Sequence, residues 1–131
     1  MDKTKKQILV IKNENIILDV IVSELERLGF EAIPARNGST AIEILEKTKP
    51  SLIILDMAIS GTTGVKLLEV IREELKLDTP ICALAEKDRE IDKEAYEKYD
   101  VKMHQHIAAI NVEKIIQTYH DQIFSENSDN N

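Results

Sequence analysis

The sequence predicts an α/β fold in which a parallel five-stranded sheet lies between two layers of helices. Two observations predict this class. Five short strand-like runs alternate along the chain with segments whose apolar residues recur at helical spacing. One of these runs, from Leu52 to Leu55, is continuously apolar, which is typical of a strand buried in a parallel sheet. Strands and helices that alternate in this way favour a three-layer architecture.

Local patterns predict each element in the first half of the chain. The run Gln7–Ile11, apolar from Ile8 onward, predicts a short buried first strand. Apolar residues at positions 16, 17, 20, 21, 25 and 28 predict one face of a helix that ends at Gly29. Residues 30–34 predict a weaker second strand. Residues 40–43 have the spacing of a capping box, which predicts a second helix extending to about Lys47.

The second half of the chain continues the alternation. Pro50 precedes the strand Leu52–Asp56, and apolar residues at positions 65, 67, 68, 71 and 75 predict a third helix. Residues 81–84 predict a fourth strand, and the charge-rich residues 86–98 predict a helix with a thin apolar face. Residues 102–107 alternate polar and apolar side chains, as an edge strand does, and Asn111 is the predicted cap of a last helix.

The order of the strands follows from general rules of chain connection. Right-handed crossovers favour the doubly wound, flavodoxin-like order 2-1-3-4-5 for five such strands. In that order the carboxyl ends of strands one, three and four meet, so Lys12, Asp56 and Ala85 are expected to be neighbours. We expect an N-terminal extension over residues 1–6, one domain over residues 7–124 and a disordered polar tail over residues 125–131.

Composition argues against two classes of function. The net charge of −7 is opposite in sign to the basic patch of a nucleic-acid-binding module, so no nucleic-acid partner is expected. No apolar run has the length of a membrane span or a signal peptide, so no membrane partner is expected. Cys82 is the single cysteine and lies in an apolar run, which indicates a buried thiol and a reducing, cytoplasmic location.

A series of short motifs follows these elements in a fixed order. Together they resemble the receiver domain of two-component response regulators, of the chemotaxis-regulator type, over roughly residues 7–120. The motifs are residues 7–11, 26–30, 35–38, 50–56, 61–64, 71–73, 79–81 and 111–115.

The resemblance implies an active site with five parts. Two acids after the first strand help to hold Mg²⁺, an aspartate accepts a phosphoryl group, and a hydroxyl residue after strand four and a lysine after strand five bind the phosphoryl oxygens. In this sequence the five positions are taken by Lys12, Asn13, Asp56, Ala85 and, depending on the side from which residues are counted, Ala108 or His106.

Asp56 alone keeps the residue type that the resemblance implies, which indicates an atypical, degenerate pseudo-receiver. Lys12 introduces a positive charge where the metal would lie. Two unit charges about 4 Å apart interact by roughly 4 kcal/mol at an effective dielectric near 20, and this interaction is favourable between Lys12 and Asp56. We therefore predict an ion pair between them and no cofactor. Glu14, next to the acid pair, is with Asp56 the weak alternative for a Mg²⁺ site.

The resemblance also implies a surface for partners, formed by helix four, strand five and helix five. The residues expected on this face are Tyr96, Tyr99, Met103 and Gln105, although the two tyrosines can instead pack over strand five. The implied partners are proteins: a histidine kinase, a downstream effector or a second copy of the chain.

Three hypotheses about function follow. The leading one is a signalling domain of two-component or phosphorelay type, not an enzyme, that acts through protein–protein interaction with phosphotransfer lost or much weakened. One alternative is a working phosphoacceptor that uses Asp56 with an atypical metal site. The other is a small-molecule-binding flavodoxin-like module, against which residues 12–15 contain no glycine-rich phosphate loop.

Overall fold

The computed structural model describes residues 5–13, 15–59, 62–105 and 110–125. Five parallel strands form one sheet: β1 (Gln7–Ile11), β2 (Glu31–Ala35), β3 (Leu52–Asp56), β4 (Ile81–Ala85) and β5 (Lys102–Gln105). Their order is β2-β1-β3-β4-β5, which confirms the predicted fold class and strand order. The helices are α1 (Asn15–Arg27), α2 (Gly38–Lys47), α3 (Gly64–Glu69), α4 (Lys93–Lys98) and α5 (Val112–Ile123).

Helices cover both faces of the sheet, so the central strands are apolar on both sides. Side chains of β1 alternate between two cores: Leu9 and Ile11 lie in the core shared with α2, α3 and α4, whereas Ile8 and Val10 lie in the core shared with α1 and α5. This arrangement explains why the inner strands are continuous apolar runs in the sequence.

The register of the sheet aligns the carboxyl ends of the central strands. Ile11 pairs with Leu55 across β1 and β3, and Asp56 pairs with Leu84 across β3 and β4. The residues that follow these strand ends therefore meet along one edge, which is where parallel α/β sheets place their binding groups.

The start of α2 differs from the prediction. The cap is Asn37, whose side-chain oxygen accepts the backbone N–H of Thr40 at 2.8 Å, so the helix begins at Gly38. The capping box predicted for residues 40–43 is wrong because Thr40 already lies inside the first turn. The predicted caps at the other ends are confirmed: Gly29 has a φ of 98° beyond the end of α1, and the side chain of Asn111 accepts from Lys114 N.

The inward face of α1 also differs from the prediction. The buried positions are Leu18, Ile21 and Leu25. Ile16 and Val20, which the sequence pattern assigned to the same face, are 71% and 54% exposed. The pattern contained apolar residues on two sides of the helix, and only the packing against the sheet selects between them.

The segment predicted as one helix over residues 86–98 is divided in two. A 3₁₀ turn, Asp88–Glu90, comes first, and α4 begins only at Lys93. Side chains compete with helical hydrogen bonds here: the Glu90 carboxylate accepts the N–H of Glu86 at 2.9 Å, and Asp92 caps Ala95. The third helix is continuous in outline, but its second part, Val70–Glu74, is a π-helical turn.

Candidate functional site

Asp56 lies at the carboxyl end of β3 with 8% of its surface exposed. Both oxygens of its carboxylate accept hydrogen bonds. Oδ1 accepts the backbone N–H of Ala58 at 2.9 Å, and Oδ2 accepts from Lys12 Nζ at 3.0 Å. Both donors come from the strand–helix connections that surround the carboxylate.

The structure brings Lys12 and Asp56, 44 residues apart in sequence, into a direct ion pair. The backbone N–H of Lys12 donates to Ala35 O at 2.9 Å, which holds the residue at the end of β1. The two side chains are 12% and 11% exposed, so little water screens the contact. Each charge is neutralised chiefly by the other, and the loss of either one would leave a buried charge without compensation.

Of the other predicted site positions, the structure describes Ala85 and Asn13. Ala85 ends β4, is fully buried and carries no hydroxyl group. Asn13 is exposed on the connection that follows β1. Glu14, Ala108 and His106, the remaining candidates, lie outside the described residues, as do residues 1–4 and 126–131 at the two ends of the chain.

The donor set around Asp56 does not fit Mg²⁺. A magnesium ion bound by protein takes one or two carboxylates and several waters. Here one carboxylate oxygen holds an ammonium and the other a backbone amide, and the ammonium repels a divalent cation. Within residues 5–13, 15–59, 62–105 and 110–125, no group of three His, Cys, Asp or Glu side chains is arranged to hold a metal ion.

The connection between β4 and α4 is held by contacts that the sequence did not predict. Glu90 Oε1 accepts the backbone N–H groups of Glu86 at 2.9 Å and of Lys87 at 3.5 Å. The hydroxyl of Tyr96 donates to Glu90 O at 2.7 Å. The connection that follows Ala85 is thus fastened both to itself and to α4. In the sequence, Glu90 is one of several charged residues in this segment, so its role as an acceptor for the backbone N–H of Glu86 was only weakly indicated.

Two of the four residues expected on the partner face are buried. Tyr96 and Tyr99 are 6% and 9% exposed, and the hydroxyl of Tyr99 donates to Glu73 Oε2 at 2.9 Å. The expectation that their rings are surface contacts for a partner is therefore wrong, because each ring packs in the core beneath α4. Met103 and Gln105, from the edge strand β5, are exposed.

Comparison with known proteins agrees with this architecture. The family model of the response regulator receiver domain matches residues 8–119. The chain belongs to this family. It is a receiver domain of two-component response regulators, a class of domain that typically transmits signals.

Two curated relatives are named as transcriptional regulatory proteins. The alkaline phosphatase synthesis transcriptional regulatory protein PhoP of Bacillus subtilis is 38% identical over 88 residues, which are 67% of this chain and 36% of the relative. The phosphate regulon transcriptional regulatory protein PhoB of Pseudomonas aeruginosa is 37% identical over 89 residues, 67% of this chain and 39% of the relative. The matched region therefore spans little more than a third of each relative.

A solved structure shares the fold. The chemotaxis response regulator CheY4 of Vibrio cholerae superposes with a TM-score of 0.76 at 20% identity, over 91% of this chain and 99% of that chain. In the part of the chain that the structure describes, no helix combines the length and apolar character that crossing a membrane requires.

Proposed function

We propose that this receiver domain is a degenerate member of its family that acts by being bound rather than by being phosphorylated at Asp56. The contact that carries the proposal is the one between Lys12 Nζ and Asp56 Oδ2 at 3.0 Å. It places a fixed ammonium against the carboxylate that would accept a phosphoryl group, and it opposes the divalent cation that phosphoryl transfer needs.

The chemistry of the carboxylate supports this proposal. A nucleophilic oxygen needs an available lone pair directed at the phosphorus atom. Each oxygen of Asp56 accepts one hydrogen bond, and the ammonium contact with Lys12 withdraws electron density from Oδ2, which makes this oxygen a weaker nucleophile. Without a metal ion, Lys12 is the cation among the described residues that contacts Asp56 and can neutralise the charge that develops on the phosphoryl oxygens.

The connection after Ala85 supports the second half of the proposal. A hydroxyl at this position would follow a phosphoryl oxygen and move the connection, and alanine has none. Instead the Glu90 carboxylate and the Tyr96 hydroxyl hold the connection in one arrangement. We infer a surface that is permanently in one state, available to a partner without a phosphorylation signal.

Acetyl phosphate tests the loss of phosphotransfer. The full chain is incubated with acetyl phosphate and Mg²⁺, and its intact mass is measured over time beside Asp56→Asn. We expect no stoichiometric addition of a phosphoryl group. The matched variant Lys12→Asp restores an acid next to Asp56, and we expect it to bind Mg²⁺, as a saturable change in backbone NMR shifts.

A working phosphoacceptor is the second candidate, favoured by the position of Asp56 at the carboxyl end of β3. In this reading the ion pair with Lys12 opens when a phosphodonor arrives. An added phosphoryl group in the wild-type chain that is absent in Asp56→Asn would select this candidate and reject the first.

The proposed partners are proteins: a histidine kinase, a downstream effector or a second copy. Since two relatives are named as transcriptional regulatory proteins, we extend the proposal to a partner or attached module that controls transcription. We propose no cofactor, no catalytic activity and no nucleic-acid or membrane contact for the domain itself. A cytoplasmic location is proposed from the buried thiol of Cys82.

A further inference from the structure

A cavity of about 420 Å³ lies between the start of α2 and the first turns of α3. Its lining includes Asn37, from the connection after β2, and Thr62, from the connection after β3. β1 lies between β2 and β3 in the sheet, so these two connections flank its carboxyl end. Open parallel sheets bind ligands in this region, outside the carboxyl ends of the strands and beside the point where the strand order reverses. Lys12 and Asp56 do not line the cavity, so the ion pair is not part of it.

Part of the lining is apolar. Ile42 of α2 and Leu67 and Val70 of α3 line the cavity. Leu67 is buried in the core, whereas Ile42 and Val70 are partly exposed, so the cavity presents apolar surface that a ligand can cover. Removal of this surface from water favours binding. The volume of the cavity falls within the range of about 300–1,000 Å³ that is usual for sites of small molecules.

Gly38 allows the two connections to approach each other closely. A Cβ at this position would lie 2.8 Å from Thr62 Cγ2 and 3.9 Å from Leu67 Cδ1. A side chain at position 38 would therefore push Thr62 away from the start of α2. The glycine keeps the connection after β3 against α2, and the two together form one wall of the cavity.

The polar part of the lining is rich in hydrogen-bond donors. Ser39, Thr40 and Thr62 carry hydroxyl groups, and none of these three hydroxyls bonds to another group in the part of the chain that the structure describes. Lys66 supplies an ammonium, and no Asp or Glu among the described residues lines the cavity. The donors and the positive charge favour a ligand that carries a carboxylate.

One acid outside the lining competes for the ammonium. Glu69 Oε1 accepts from Lys66 Nζ at 3.5 Å, and the side chains of Lys66 and Glu69 are 55% and 41% exposed. An exposed ion pair between residues three apart on a helix contributes little to stability, so a carboxylate in the cavity can replace Glu69 at small cost. The competition keeps the affinity of the cavity for an anion modest.

We propose that this cavity binds a small aromatic carboxylate, with the ring against Ile42, Leu67 and Val70 and the carboxylate paired to Lys66. The proposal goes beyond the proposed function, because it adds a site for a small molecule to a domain that is bound by proteins, and it does not depend on the state of Asp56. The carboxylate matches the charge and the free hydroxyls of the lining. A rigid ring covers the apolar part and loses little conformational entropy when it binds.

Titration of the ¹⁵N-labelled full chain with benzoate tests the proposal, with the ionic strength held constant by NaCl. Benzamide, which keeps the ring without the charge, and acetate, which keeps the charge without the ring, are the comparison probes. We expect benzoate to shift the amide signals of residues 38–42 and 66–70 in a saturable way, with a dissociation constant on the order of millimolar. We expect both comparison probes to bind at least ~5-fold more weakly.

Three variants separate the charges. Lys66→Met removes the ammonium and should weaken the binding of benzoate at least ~5-fold. Glu69→Gln removes the competing acid and should strengthen the binding ~2-fold or more, an effect that a cavity filled through its apolar part alone would not show. Lys47→Met, which changes an exposed lysine of α2 outside the cavity, is the matched control and should bind benzoate as the wild type does.

Four results would overturn the proposal. The absence of saturable shifts at tens of millimolar benzoate would reject the site. Equal binding of acetate would assign a general anion site, and equal binding of benzamide, or undiminished binding of benzoate by Lys66→Met, would remove the role of charge. Shifts confined to signals outside residues 38–42 and 66–70 would place the ligand elsewhere.

Discussion

The chemistry of this domain depends most on the Lys12–Asp56 pair, in which each side chain neutralises the charge of the other. A carboxylate at the end of β3 that accepts from an ammonium and a backbone amide is a structural group as well as a candidate nucleophile. With both side chains nearly nine-tenths buried, the pair is expected to respond strongly to the loss of one partner and weakly to salt.

Lys12→Met is predicted to lower the free energy of unfolding by about 3 kcal/mol, because it leaves the buried Asp56 carboxylate without its counter-charge. Urea denaturation followed by circular dichroism measures the change. Lys47→Met, at an exposed position, is the control and should change the stability by less than ~0.5 kcal/mol. If Lys12→Met is as stable as the control, the ion pair does not neutralise Asp56.

Cys82 is a second residue whose surroundings decide its chemistry. Burial raises the pKa of its thiol from 9.0 to about 12, and a hydrogen bond with Tyr119 opposes the rise only in part. We predict that a thiol reagent at pH 8 modifies the protein only after unfolding in urea.

The unfolded thiol loses its proton near pH 9 and the folded thiol near pH 12, so the thiol contribution to stability falls as pH rises between these values. The Cys82→Ala variant should lack this pH-dependent contribution to stability. Rapid labelling of Cys82 in the folded protein would contradict the prediction about the thiol reagent.

At the scale of elements, the connections at the carboxyl ends of the strands determine what the site can do. The connection after β3 is held by the bond from Ala58 N to Asp56 and by the close approach of α3. The connection after β4 is held by Glu90. Between the two connections lies a crevice of about 340 Å³, lined by Ala58 and Gly64 on one side and by Glu90 on the other.

Gly64→Ala is predicted to destabilise the protein by about 2 kcal/mol and to shift the NMR signals of the connection after Asp56. A Cβ at this position would lie 2.9 Å from Met57 Cα and 2.6 Å from Met57 Cε, and the backbone contact cannot be relieved by a side-chain rotation. Thermal unfolding and an NMR spectrum measure the two effects. Ser39→Ala, exposed in α2, is the comparison. If Gly64→Ala and Ser39→Ala are equally stable, the contact between α3 and Met57 relaxes with no loss of stability.

At the scale of the whole molecule, Arg72 joins three parts of the chain at the end of the sheet opposite to Asp56. Its Nε donates to Tyr99 O at 2.7 Å, and its Nη1 donates to Leu77 O and Thr79 O, each at 2.8 Å. Burial lowers the pKa of this guanidinium, and the charges of Asp100 and Asp78 oppose the change. Arg72 lies in residues 71–73, one of the segments on which the resemblance to receiver domains was based, and in this chain it joins these carbonyl groups.

Arg72→Lys is predicted to lower the free energy of unfolding by about 2 kcal/mol. Lysine keeps the charge but lacks the planar fork that serves several carbonyl groups at once, so buried acceptors lose their donors. Chemical denaturation measures the loss, and Arg36→Lys at an exposed position is the control. If the denaturation midpoint of Arg72→Lys is unchanged, water has replaced the guanidinium as the hydrogen-bond donor to these carbonyl groups.

The sequence by itself determined the fold class, the strand order and the place of Asp56, because these depend on periodicity, on apolar runs and on where a strand ends. It also predicted the neighbour of Asp56, since the carboxyl ends of β1 and β3 meet in this order of strands. Only the tertiary structure decided which apolar side of α1 faces the core and that Tyr96 and Tyr99 are buried. The same holds for Glu90 and for Arg72, which bonds to a carbonyl group 27 residues away. These outcomes depend on which partner lies within hydrogen-bonding or packing distance after folding, and no local pattern contains that distance.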